Sequence, residues 1–317
     1  MRHVFIINPA AGKRDCTAQL LEMAKGLEAR HGLAVERILT RRPGHAWEAA
    51  SALARTGEDL RFYACGGDGT LSEVANAVAG VESAAMTCVP VGTGNDFLKN
   101  FGDKAPLFSD AENLWDGPRF PLDAIDCNGR LALTVACSGF DAQVADSVHR
   151  YGDFPLLKGQ ASYIASLAVN FFSQSFRHRW TVTLDGERLE GEFILAAVCN
   201  GRYYGGGFVP TREARMDDGL LHTILVRAVS RPTFLRLVGA YSRGDGWRYP
   251  GIVRCSTARE ITIESREGDI VTCLDGESVR GSRVDIRLSE RRVGFFGPPG
   301  CDPNATAVSR PAAAGVY

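Results

Sequence analysis

The sequence predicts two joined units: an α/β N-terminal domain on a mainly parallel sheet, then a mainly antiparallel β domain. Three observations predict it. Strand-like and helix-like periods alternate through the first 124 residues. Beyond them, strand-like runs follow one another with Gly- and Asp-rich turns between. At 317 residues the chain is long for one ordinary domain and comfortable for two.

The first domain opens on a β-rich run, His3 to Asn8, followed by Leu20, Met23, Ala24 and Leu27 at helical spacing. Ala34 to Thr40 reads as a second strand, and Trp47, Ala50, Leu53 and Ala54 mark a second helix. Arg61 to Cys65 is a third strand, followed by the helical stripe Leu71, Val74, Ala75 and Val78. Ala85 to Val91 is a fourth strand, with a helix starting near Asp96. Such repeated βα units imply a parallel sheet covered by helices. The second domain spans 125–289, with strands at Leu131–Cys137, Trp180–Leu184, Phe193–Cys199, Leu220–Val226, Glu260–Glu264, Ile270–Leu274 and Val284–Leu288. The first domain is completed by about 290–300, and the Ala- and Pro-rich stretch 302–317 reads as a flexible tail.

Composition narrows the function classes. Hydrophobic residues make up 45%, charged residues 23%, and the net charge is -1, so no global field draws the chain to nucleic acid. The start carries no signal-peptide pattern, no apolar run is long enough to span a bilayer, and the nine cysteines are scattered. A reducing cytoplasm is the expected setting, and a zinc site or disulfide framework is not expected.

Three Gly-rich segments stand at successive strand ends: Asn8-Pro9-Ala10-Ala11-Gly12-Lys13, Gly66-Gly67-Asp68-Gly69-Thr70 and Gly92-Thr93-Gly94-Asn95-Asp96. In an open parallel sheet these ends share one edge, where ligands bind. Glycine lets backbone N–H groups reach phosphates, and the helix beginning near Leu71 would aim its positive end there. Neither a Walker loop nor a dinucleotide fingerprint is present. Asp68 and Asp96 lie in loops otherwise suited to anions, which reads as part of a magnesium–ATP network. Each also reads as a helix N-cap. Asp275, in Leu274-Asp275-Gly276-Glu277, suits a group that takes a proton from an acceptor hydroxyl, though the residues alone read more readily as an Asp-Gly hairpin turn.

These residues resemble the diacylglycerol kinase catalytic family, especially its soluble bacterial lipid kinases. The most specific matches are Gly66 to Thr70 with Glu73, Val91 to Phe97, and Leu274 to Glu277. Ser72 and Lys99 stand where the family usually has Asn and Arg. The resemblance implies a phosphofructokinase/NAD kinase-like first domain facing a β-sandwich-like, lipid-substrate second domain. It implies ATP contacts at Asn8, Pro9, Ala10, Ala11, Gly12, Thr40, Gly67, Asp68, Gly69, Thr70, Leu71, Ser72, Glu73 and Thr93. It implies Asp275 as proton acceptor with Glu277 beside it. Asp68, Asp96 and Asp123 would form an acidic network toward Mg²⁺, and a structural Mg²⁺ would sit on Asp218 and the backbone carbonyls of Arg215 and Leu220. The implied activity is transfer of the γ-phosphoryl group of ATP to a lipid hydroxyl, diacylglycerol foremost. Sphingosine kinase or NAD kinase activity, or an ATP-binding regulatory role, stand as alternatives.

A lipid kinase must meet a bilayer, so peripheral membrane contact is expected. Residues 227–254 hold six arginines and one acid, Asp245, together with the stripe Phe234, Leu237, Val238 and Tyr241 and the nearby Trp247 and Tyr249. This suits an anionic interface, and somewhat more readily a core-facing helix with solvated arginines. Tyr163, Ile164, Leu167, Ala168, Phe171 and Phe172 form a second such stripe.

Overall fold

The structure, a computed structural model, describes residues 1–140, 142–143 and 177–309. The second expected membrane stripe, Tyr163 to Phe172, lies outside the described residues.

The first domain repeats strand and helix. It runs β1 (Arg2–Ile7), α1 (Thr17–His31), β2 (Ala34–Leu39), α2 (His45–Ala54), β3 (Leu60–Gly66), α3 (Asp68–Val78) and β4 (Ala84–Pro90). All four strands pair in parallel, in the order β2-β1-β3-β4. Helices cover the sheet, so β1 and β3 are almost wholly buried and carry unbroken apolar runs. The helix expected near Asp96 is a 3₁₀ stretch over Phe97–Ser109, broken at Gly102 (φ 55°). Phe97, Phe101 and Phe108 pack from it against Phe295.

The chain then lays β5 (Arg119–Leu122) at the sheet's far edge and enters the second domain. There follow β6 (Ile125–Cys127), β7 (Arg130–Ala132), β8 (Val135–Gly139), β9 (His178–Leu184), β10 (Glu187–Cys199), β11 (Leu221–Arg227), α4 (Arg231–Tyr241), β12 (Val253–Ala258), β13 (Glu260–Ser265), β14 (Ile270–Leu274), β15 (Glu277–Gly281) and β16 (Arg283–Leu288). Every pairing is antiparallel. β10 changes partners midway: Glu187–Phe193 pairs with β9, and Leu195–Cys199 pairs with β8 and β11, across an irregularity between Phe193 and Leu195. The sheet thereby folds over a core of Val182, Ala196, Val198, Ile263 and Ile286. The alternate residues Leu195, Ala197 and Cys199 face a separate cluster beneath α4. Finally β17 (Val293–Phe296) returns to the first sheet, parallel to β4 and antiparallel to β5.

Two sequence expectations give way. The single strand Leu131–Cys137 is two, β7 and β8, because the amides at 133–135 turn aside toward the Asp275 carboxylate. The stripe on α4 takes the core-facing reading that the sequence also allowed: Phe234 and Tyr241 join the cluster beneath the helix, and Leu237 is buried too. The tail is not loose over 302–309. Arg202, only 1% exposed, donates to the carbonyls of Asn100, Ala214 and Pro303 and to Thr306 Oγ1. Asn304 accepts from Met216 N at 2.9 Å and donates to Asp217 at 2.9 Å. Burial draws the guanidinium of Arg202 down to about 10, still far above neutral pH, so the group remains a cation solvated by protein oxygens.

Replacing Arg202 by Met leaves those buried acceptors unpaired, and ending the chain at Cys301 removes two of them. Each change is expected to cost about 3 kcal/mol or more of unfolding free energy, read from urea denaturation.

Candidate active site

The loops after β1, β3 and β4 meet because two residues, Gly12 and Gly92, carry no Cβ. Gly12 sits at φ 82°, and a Cβ there would lie 2.1 Å from Val91 O. A Cβ on Gly92 would lie 2.5 Å from Gly67 Cα. Real Cβ atoms do not approach so closely, so glycine is a condition of the contact. Asn8 ties the first loop to the second: its Nδ2 donates to Thr70 Oγ1 at 3.1 Å and its Oδ1 accepts from Ala10 N at 3.0 Å. The N-cap of α3 is Gly67, and no side chain caps that end. Its first-turn amides and the helix dipole are left facing the cleft, an arrangement that favours a phosphate.

These loops form one wall of a cleft of about 900 Å³. Asn8, Ala10, Ala11, Gly12, Gly67, Asp68, Gly69, Thr70, Leu71, Thr93 and Asp96 line it from the first domain. Asp275 and Glu277 line it from the second. Residues 67, 93 and 275, distant in sequence, therefore share one hollow.

Asp275 stands at the tip of β14 with φ 45°. Its carboxylate accepts from Leu133 N at 2.6 Å, Val135 N at 2.9 Å and Thr134 N at 3.2 Å. Its own N–H donates to Val135 O at 3.1 Å. Burial raises its pKa to about 6, against the pull of those three amides, and the charge on Asp68 adds to the rise. Glu277 pairs with Arg130 at the cleft rim.

Asp68 accepts from Asp96 N at 3.3 Å. Its pKa is raised, first by burial and then by the neighbouring Asp96. A divalent cation would relieve that repulsion, and hard carboxylate oxygens beside a phosphate-binding loop are the donor set Mg²⁺ takes. Asp96 has less to offer, since one oxygen pairs with Lys99 and the other accepts from Gly206 N at 2.8 Å. Among the described residues no cluster of three or more potential metal-ligating side chains occurs, so phosphate and water oxygens would complete such a site.

Several expected site residues lie elsewhere. Pro9 and Thr40 line a neighbouring depression with His45. Ser72 and Glu73 border a third hollow beside Trp47 and Arg130, which adjoins the cleft at Glu277. Glu73 caps α2 instead of facing the cleft: its carboxylate accepts from Gly44 N at 2.8 Å, Ala46 N at 3.0 Å and Trp47 N at 3.3 Å. Asp123 also departs from expectation. It is 1% exposed, pairs with Arg292 at 2.8 Å and accepts from Gly219 N at 2.7 Å, so it braces the 215–220 loop from beneath. Asp218 is exposed and accepts from Leu220 N at 3.1 Å, and no residue from Arg215 to Leu220 lines the cleft.

Sequence reasoning missed the opposite wall: Thr134, Val135, Cys137, Tyr203, Tyr204 and Cys273. Val135, Cys137, Tyr204 and Cys273 belong to the apolar cluster under α4, so that side of the cleft opens onto hydrophobic surface. The one signal within reach was a tyrosine pair directly before Gly205-Gly206-Gly207, all three glycines at positive φ.

Comparison with known proteins agrees with this two-part arrangement. The model of the diacylglycerol kinase catalytic domain matches residues 2–127, and that of the YegS C-terminal NAD kinase beta sandwich-like domain matches residues 134–291. A Pseudomonas aeruginosa (strain PAO1) protein named "Probable lipid kinase YegS-like" is 32% identical over 243 residues, 75% of this chain and 77% of the relative. One of the same name from Shewanella frigidimarina is 28% identical over 83% of this chain and 88% of its own. Among solved structures, a Bacillus anthracis str. Sterne protein named as a diacylglycerol kinase candidate superposes with a TM-score of 0.75 at 23% identity. That superposition covers 95% of this chain and 98% of the other. Two domain models in sequence order, and a relative matched over most of its length, establish that this chain belongs to the YegS-like lipid kinase family.

Proposed function

We propose that the cleft moves the γ-phosphoryl group of ATP onto the hydroxyl of a membrane lipid, diacylglycerol being the acceptor, with Asp275 receiving the hydroxyl proton. The observation that carries this reading is the position of Asp275. One half-buried carboxylate, its pKa raised to about 6, shares a hollow with glycine loops on one side and an apolar wall on the other.

The residues divide the work. Backbone amides of the glycine loops and the α3 N-terminus hold the phosphates, where dipoles aimed at developing charge count most. The amides of Leu133, Thr134 and Val135 fix the Asp275 carboxylate, leaving it no rotational freedom to lose on binding. In the transfer, the lipid O–H bond breaks and its proton passes to Asp275. The lipid oxygen bonds to the γ-phosphorus, the bond from that phosphorus to its bridging oxygen breaks, and ADP departs. Asp68 would help hold Mg²⁺, which would supply charge that neutralises the phosphates. Val135, Cys137 and Cys273 favour a lipid over a nucleotide acceptor, since a second nucleotide would meet apolar side chains where it needs hydrogen bonds.

Labelled ATP, magnesium and a panel of lipid alcohols test the reading: diacylglycerol is expected to carry the label, and a panel with no labelled lipid refutes it. Asp275→Asn is expected to lower turnover by about 10²- to 10⁴-fold with nucleotide affinity kept, measured by steady-state kinetics and calorimetry. A base must be ionised to accept a proton. The wild-type pH profile should therefore fall on the acid side through about pH 6, well above an ordinary aspartate. Gly92→Ala should weaken ATP binding by about tenfold or more, a loss of about 1.4 kcal/mol, because its Cβ would push the second and third loops apart.

A further inference from the structure

We propose that the outer face of α4 and the turn after it form a docking surface for an anionic bilayer. The inference rests on the lipid-kinase reading and adds to it the side of the molecule that meets the membrane.

The inner face of α4 is occupied. Phe234, Leu237, Ala240 and Tyr241 are buried, Phe234 against the ring of Phe140. What remains outside combines exposed apolar groups with arginines. Leu235 is 58% exposed, among the most exposed large apolar side chains of the described residues, and it lies between Arg231 and Arg236. One turn of chain further on, Tyr249 is 41% exposed beside Trp247, whose ring carries the Arg248 guanidinium at 5.3 Å. Amphipathic rings and a lone leucine among arginines are what an interfacial segment offers to headgroups and the acyl boundary.

Charge favours the same partner. Of the six arginines in this stretch, Arg254 is paired with Glu187 and Arg227 lies over Phe193. Arg243 and Arg248 reach Asp245 only at 3.9 Å, and Arg212 joins them at 3.7 Å. Three guanidiniums share one carboxylate, which leaves the turn positive, and Arg236 adds its charge from the helix. A polyanionic surface complements that excess.

The face also stands close to the chemistry. Tyr241 on α4 is hydrogen-bonded to Tyr204 at 2.9 Å through their hydroxyls, and Tyr204 lines the cleft. One helix, about 10 Å across, separates the docked face from the apolar cleft wall. An enzyme seated on its arginines would hold that wall within reach of a lipid lifted a short way from the bilayer.

The test is co-sedimentation of the whole protein with vesicles of phosphatidylcholine, with and without phosphatidylglycerol. The wild type should bind the anionic vesicles and not the neutral ones, and raising salt from about 0.1 M to about 1 M should release it. The triple variant Arg236→Glu, Arg243→Glu, Arg248→Glu should bind anionic vesicles at least about 100-fold more weakly, from about fivefold per surface-near charge removed and more for reversal. Leu235→Asp alone should also weaken binding, through loss of insertion. Both variants alter exposed side chains, and their turnover of diacylglycerol in neutral detergent micelles should match the wild type. Equal binding to neutral vesicles, or anionic binding intact in the triple variant, overturns the proposal. Anionic binding without any lipid phosphorylation would sink the kinase reading and leave this one standing. Micellar turnover without anionic preference would do the reverse.

Discussion

Everything in the cleft depends on main chain touching main chain. Gly12 lies under the carbonyl of Val91, and Gly92 lies against Gly67, at distances that permit no Cβ on Gly12 or Gly92. This contact brings three strand ends to one point and keeps their amides bare. Side chains at Gly12 and Gly92 would spread the loops and fill the cleft between them. The helix dipole of α3 and the unused amides of its first turn then act on a site that steric exclusion has already shaped. The electrostatics follow from the packing.

Asp275 illustrates how two domains share one function. Its strand belongs to the second sheet, and its carboxylate is held by the amides of Leu133 and Thr134, between β7 and β8, and of Val135, the first residue of β8. Three hydrogen bonds to a carboxylate ordinarily hold its pKa down, yet burial wins here and the value rises to about 6. At neutral pH the group is ionised but basic, and the fold bears the cost of keeping it charged where water is scarce. Because the folded pKa exceeds the unfolded one, the shift stabilises the protein most below the usual carboxylate range. That contribution is lost as pH rises through about 6, so at working pH the aspartate opposes folding.

The first domain was legible in sequence because its signals were local. A parallel sheet covered by helices writes a strand period and a helix period in turn, and glycines mark where each strand gives way. The loops around residues 12, 67 and 92 could be read for the same reason. What could not be read was set by contacts far apart along the chain. The break in Leu131–Cys137 is imposed by Asp275. The role of Glu73 follows from α2 docking beside α3, and that of Asp123 from Arg292 arriving near the far end of the chain. The apolar wall of Val135, Cys137 and Cys273 comes from strands adjacent only after pairing, with Cys137 directly opposite Cys273. The stripe on α4 was visible, and the side it faced was settled by the surface offered beneath it. The short strands β5 and β17 gave weak signals, having too few residues to show a period.

That last strand has a consequence for how the protein is made. β17 lies between β4 and β5, in the interior of the first sheet, although it is almost the last element to leave the ribosome. Until Val293–Phe296 emerges, β4 presents an unpaired edge, and Phe101 and Phe108 lack the ring of Phe295 that closes their cluster. The nascent first domain thus waits, incompletely zipped, through synthesis of the entire second half, exposed to the strand-to-strand mispairing that open edges invite. A gene fragment cut at the boundary near residue 127 would keep every glycine loop and still lack the strand that seals the sheet beneath them.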